Sequence, residues 1–331
     1  MAYLLTIGIF VFFGLIILLV HLYLDEVLLP PSLPEVPENL VELEAWIVHT
    51  ETKASTRPDN EARIVWADGH FQKKTPYSIV YLHGFSASQG EGHPVHQSIA
   101  AEFGCNLFLA RLQAHGLEAE EPLINMHREG LVKSAAEALA IGKRIGEKVI
   151  LMSTSTGGSL SLILSSFFPG IAGQILYSPN IRIKNPAAFL LGWPGGIQFA
   201  RWAFKGNRKY SADVPNPYWY DHVHIRSLLA LHRLLKTYMQ KRIFRQIHCP
   251  TLMLYYFKNK REQDQVVSVP AMLKMFRQLG TQADHKQAIS LPKAGVHAIA
   301  SDIYSQDIDG VIRHTRTFCQ GVIQLPQAET H

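Results

Sequence analysis

The chain has 331 residues, of which 47% are hydrophobic and 18% charged, with a formal net charge of +5. That length suits one large domain or two ordinary ones, and the balance excludes a disordered or low-complexity chain. The three cysteines, Cys105, Cys249 and Cys319, lie far apart in sequence. Their spacing argues against a disulfide framework, a paired-cysteine zinc site or a redox motif, and predicts buried thiols.

Residues 2–24 read AYLLTIGIFVFFGLIILLVHLYL and contain no Lys, Arg, Asp or Glu. As a helix this stretch spans roughly 30 Å, the thickness of a bilayer core. A cleaved signal peptide would want a basic start, a shorter apolar run and a small-residue cleavage site, none of which stands out. A retained transmembrane anchor over 2–24 is therefore expected. The first basic residue is Lys53, so charge says little about orientation. The lean is towards a cytoplasmic tail and a body outside the cytoplasm. Residues 25–40, with Pro30, Pro31, Pro34 and Pro37, predict an extended linker.

From residue 41 short apolar runs alternate with amphipathic stretches. Strands are expected in VELEAWIVHT (41–50), ARIVWAD, SIVYLHG, NLFLARL, KVILMSTS, GQILYSP, PTLMLYYF and KQAISLP. Helices are expected over 96–103, 126–145, 156–168, 269–279 and 303–322. This alternation predicts an α/β fold with a mostly parallel, doubly wound sheet and an antiparallel first edge. The core would comprise 41–180 and 249–325. The interval 181–248 breaks the pattern, is rich in Trp and Tyr, and predicts a helical cap with a run near 227–244. It holds twelve basic and two acidic residues, a net +10 against +5 for the whole chain. Such a surface suits anionic lipid headgroups or acidic substrates, or is a solvated helix face. No recognised module accompanies the charge, so nucleic acid is not an expected partner.

The sharpest motif is KVILMSTSTGGSLSLIL (148–164), an apolar strand running straight into a helix. It approximates the G-x-S-x-G nucleophile elbow, with Ser153 in the first glycine position, Ser155 at the centre and Gly157 last. Small residues are needed there because backbone crowds the serine. At the helix N-terminus the Thr156 N–H can meet an oxyanion. SIVYLHGFSAS (78–88) ends a strand in His83-Gly84-Phe85, where the Phe85 N–H is the candidate second oxyanion donor and Gly84 permits close approach. Past PTLMLYYF stand Glu262 and Asp264, of which Asp264 is the better candidate acid and Glu262 the reserve. Past ISLPKAG stands His297, the candidate base. The order Ser155, Asp264, His297 is that of a nucleophile–acid–base triad in an α/β-hydrolase.

Together these segments resemble the α/β-hydrolase superfamily, in particular its branch of monoglyceride lipases, carboxylesterases and serine-aminopeptidase-like hydrolases. YLHGFSAS resembles that branch's first loop. ARLQAHG (110–116) resembles its R-x-P-G-H-G segment but departs at Gln113 and Ala114. The likeness covers roughly 60–322. It implies an α/β-hydrolase fold with a cap, and cleavage of a carboxylic ester through an acyl-enzyme on Ser155. A small-molecule or lipid ester would be the substrate, without cofactor or metal. His83, Gly84 and Gly157 would support the site. The same triad serves amide hydrolysis or acyl transfer, and a membrane-tethered binding protein could keep the fold without turnover. His222 and His224 have metal-like spacing but no third ligand in view.

Overall fold

The computed structural model describes residues 3, 8–9, 12–16, 31–186, 196, 207–209 and 216–328. Its centre is a seven-stranded sheet. The strands are β1 (Arg63–Val65), β2 (Thr75–Leu82), β3 (Asn106–Leu109), β4 (Gly146–Thr154) and β5 (Ile171–Tyr177), followed by β8 (Thr251–Tyr255) and β9 (Lys286–Ser290). They lie in the order β1-β3-β2-β4-β5-β8-β9. All neighbours are parallel except β1, which pairs antiparallel with β3 at the edge. A separate two-stranded ribbon joins β6 (Asn207–Lys209) and β7 (His222–His224).

Side chains alternate across a strand, so β2 serves two cores at once. Val80 and Leu82 join the layer containing α3 (Arg128–Ile145) and α4 (Thr156–Phe167), through Leu131, Leu139, Leu160 and Ile163. Ile79 and Tyr81 join the opposite layer, with α2 (Val95–Glu102) and α8 (Ile308–Phe318), through Ile99, Val311 and Phe318. Near-continuous apolar strands are the signature of a parallel sheet covered on both faces. Every residue of β8 is buried.

Residues 41–50 are not the expected strand but part of helix α1 (Leu40–Lys53). The V-E-L-E alternation suggested a period of two, yet the buried residues are Leu43, Ile47 and Glu51, a helical stripe. Asn39 starts the helix: its side chain accepts from the amides of Val41 (2.9 Å) and Glu42 (3.2 Å). The last expected helix, 303–322, is shorter, running over Ile308–Phe318 and ending in a π-turn at Cys319–Ile323. Residues 301–302 are held elsewhere, Ser301 bridging to Pro94 and the Asp302 amide bonding to the His93 carbonyl.

Within the interval expected as a cap, much of 187–215 lies outside the described residues. The helical run expected near 227–244 is α5 (Ile225–Tyr238) followed by α6 (Lys241–Phe244), with α7 (Val269–Gln278) after β8. In this interval the Tyr220 amide donates to the Ser86 carbonyl and the His224 amide to the Pro122 carbonyl, both at 2.9 Å. Among the described residues, no helix is long and apolar enough to cross a membrane. The anchor expected over 2–24 falls mostly outside them.

Candidate active site

Ser155 occupies the turn between β4 and α4 at φ 54° and ψ −114°. A non-glycine residue at positive φ is strained, and surrounding structure must hold it there. The Ser155 amide donates to the Tyr177 carbonyl at 2.9 Å, and its carbonyl accepts from the Asn180 amide at 2.9 Å. A Cβ on Gly157 would collide with the carbonyl oxygens of Leu82 and His83. Glycine is thus required where the end of β2 crosses the first turn of α4. The serine at 153, in place of the usual glycine, is fully buried, accepts from Ser161 Oγ at 2.9 Å and lies outside the positive-φ region. No steric demand for glycine remains at that position.

The His83-Gly84-Phe85 segment follows β2 beside this turn. The Leu112 amide donates to His83 Nε2 at 3.0 Å, so the ring proton sits on Nδ1, which donates to the Gly84 carbonyl at 2.9 Å. Burial, and next the charge of His115, hold His83 well below the ordinary histidine range, so it is neutral. The Gly84 C=O and the Phe85 N–H belong to one planar peptide unit and point in opposite directions. Pinning the carbonyl therefore aims the Phe85 N–H. A methyl added at Gly84 would sit 3.2 Å from Ser155 Cβ, which measures how closely this loop approaches the serine. The Phe85 side chain packs against Ile225 and Leu228 of α5.

Asp264 follows β8 and is fully buried. Its Oδ1 accepts from the amides of Val266 (2.8 Å) and Val267 (2.9 Å). Its Oδ2 lies 2.6 Å from His297 Nδ1. Burial works against the carboxylate, but the His297 charge, the His297 hydrogen bond and the two valine amides outweigh it and hold Asp264 below its ordinary value. His297 shows the mirror image: burial would lower it, but the charge and hydrogen bond of Asp264 and the charge of Glu91 raise it. His297 Nε2 is buried and has no hydrogen-bond partner among the described residues. Glu262, the reserve acid, is on the surface, paired with Lys258 Nζ at 2.7 Å and Asn259 Nδ2 at 2.6 Å. It takes no part.

One acidic group escaped the sequence reading. Glu91 is only 3% exposed, and its carboxylate accepts from the Gly84 amide. Its signal was an acid flanked by glycines in the stretch QGEG (89–92). Among the described residues no group of three or more His, Cys, Asp or Glu could hold a metal ion. His222 bonds to Asp221 at 2.6 Å, and His224 caps α5.

A strand-to-helix turn carrying Ser155 and a buried carboxylate–imidazole pair, set at the C-terminal ends of a mostly parallel sheet, give the chain the α/β-hydrolase fold. Its relatives are of the monoglyceride lipase and esterase type. The chain is 26% identical over 190 residues to a thermostable monoacylglycerol lipase of Bacillus sp. (strain H-257), covering 56% of this chain and 72% of that one. Solved structures with the same fold include a metagenome-derived lipolytic enzyme, with a TM-score of 0.64 at 14% identity over 80% of this chain and 99% of that one. The monoacylglycerol lipase of Paleococcus ferrophilus gives 0.58 at 13% identity over 80% and 98%. No family model matches the chain.

Proposed function

We propose that the chain is a serine hydrolase that cleaves a carboxylic ester through an acyl-enzyme on Ser155. The observation that carries this reading is the 2.6 Å contact of Asp264 Oδ2 with His297 Nδ1, which leaves Nε2 as the free basic nitrogen. His297 Nε2 takes the Ser155 proton as Oγ attacks the ester carbonyl. The oxyanion is met by the N–H groups of Phe85 and Thr156. The tetrahedral intermediate collapses, the C–O bond to the alcohol breaks, and His297 returns the proton to the leaving oxygen. Water, deprotonated by His297, then releases the acid and restores Ser155. Asp264 holds the ring and stabilises the imidazolium. The mechanism uses no cofactor.

A lipid ester is the favoured substrate class, supported by the lipase relatives and by the apolar Phe85, Ile225 and Leu228 at the cap corner. The apolar segment 2–24 would anchor the body in a membrane, with the basic cap against lipid headgroups and the body outside the cytoplasm. Phe12, Phe13 and Leu15 are helical and each expose more than half their surface, as a lipid-facing segment would.

Fluorophosphonate labelling and turnover of p-nitrophenyl esters of graded chain length test this reading. Labelling and hydrolysis in the wild type, lost in Ser155→Ala, are expected, with preference for long acyl chains. A wild-type chain inert to both reagents would overturn it. Extraction of the full chain from membranes by detergent but not by alkaline carbonate tests the anchor.

A further inference from the structure

Glu91 sits in the short 3-10 turn Gln89–Gly92, between the oxyanion loop and α2. Its surroundings drive the carboxylate inwards. A side chain at Gly90 would strike the ring of Tyr218, and one at Gly92 would strike Tyr81 and His96. The turn is clamped on both sides: Gln89 Nε2 donates to the Asp59 carbonyl at 2.8 Å, and His96 Nε2 bonds to the Gln89 carbonyl at 3.0 Å. The carboxylate so placed accepts from the Gly84 amide. A methyl added at Gly84 would be 2.8 Å from Glu91 Oε1 and 3.2 Å from Ser155 Cβ, so the glutamate carboxylate and the serine both border this glycine. The charge of Glu91 also acts on His297.

We propose that Glu91 is a positioning residue of the active site, which holds the oxyanion loop by the Gly84 amide and stabilises the cation that forms on His297 during attack. It deepens the serine-hydrolase reading and rests on it. Gly84 is then held at both edges, its carbonyl by His83 and its amide by Glu91, which leaves the Phe85 N–H little freedom to turn away. Electrostatic stabilisation of this kind acts without reorganisation at the moment charge develops.

The other titratable groups around Glu91 are neutral or paired. From β2 comes the Tyr81 phenol, which burial raises well above its ordinary value. From α2 comes His96, which burial lowers to about 3. From the cap comes Tyr218, whose hydroxyl bonds Asp59 at 2.6 Å, and from the turn's end His93, which meets Asp302 at 3.0 Å. From the loop after β9 comes His297, paired with Asp264. Burial lifts Glu91 from 4.5 to about 7, with the Gly84 bond and the His297 charge opposing. Its ionised form, which raises His297, therefore gains population as pH rises through neutrality.

The test compares wild type, Glu91→Gln and Glu91→Ala. NMR titration of the His297 ring reads the electrostatic contact whether or not any ester is cleaved. A fall of about half a unit or more in the His297 pKa in Glu91→Gln is expected. On a p-nitrophenyl ester, kcat should fall about tenfold in Glu91→Gln with KM little changed, and further in Glu91→Ala, which also loses the amide acceptor. The acid limb of kcat/KM should move to lower pH in Glu91→Gln. An unchanged His297 titration in a folded Glu91→Gln protein overturns the proposal. A wild type that cleaves no ester while its His297 titration still responds to Glu91→Gln overturns the serine-hydrolase reading instead.

Discussion

Oδ2 of Asp264 lies 2.6 Å from Nδ1 of His297, two residues brought from separate loops to one hydrogen bond at the ends of β8 and β9. The contact fixes which imidazole nitrogen faces outwards. Its other oxygen, Oδ1, is consumed by two backbone amides, so the carboxylate cannot swing away without leaving them unpaired.

Asp264→Asn keeps the shape but removes the charge and favours the wrong tautomer. Ester turnover should fall by about 10⁴-fold while the protein stays folded, as read by kcat and far-UV circular dichroism. The pH profile gives a second readout. His297 must be unprotonated to act, and its pKa is raised above 6.5, so wild-type kcat/KM should be lost on the acid side with a midpoint above 6.5. In the asparagine variant the imidazolium loses its main support, and that midpoint should drop.

Gly157→Ala pushes a methyl against the carbonyls of Leu82 and His83, which are backbone and cannot yield without moving β2. A loss of about 1–3 kcal/mol in urea unfolding is expected, together with most of the activity, because the same shift displaces the oxyanion loop.

Ala114 has φ 65° in the ARLQAHG segment, at a position where the related pattern carries glycine. Ala114→Gly relieves a left-handed alanine at the cost of a more flexible unfolded chain. A net gain of about 0.5–1 kcal/mol is expected, measured as a shift of the urea midpoint at constant slope.

Asn39→Ala removes the side chain that accepts from the Val41 and Glu42 amides. Loss of this cap should cost about 1 kcal/mol. Asn39→Asp should keep the cap.

The Ser155 turn, the Asp264–His297 pair and seven of the eight expected strands were legible because each is a local signal. The strands are apolar runs broken by helices, and the elbow is an abrupt strand-to-helix junction of small residues. The eighth strand failed because V-E-L-E shows two periods at once, and Asn39 as a cap decided for the helix. The partly buried pair of Arg111 Nε and Glu51 Oε2, 2.6 Å apart, follows from that helix and was equally hidden. Glu91 was missed because nothing in QGEG says that rings of Tyr218, Tyr81 and His96 will close on its two glycines.

The linear order of residues by itself determined the mostly parallel sheet and put serine, carboxylate and histidine just past the ends of β4, β8 and β9, since periodicity and turn chemistry act over a few residues. Only the tertiary structure buried Asp264 against His297, set the His83 tautomer and buried Glu91 against Gly84. Those outcomes depend on which groups lose water and which partners they then meet, and the side chains that exclude the water come from distant parts of the chain.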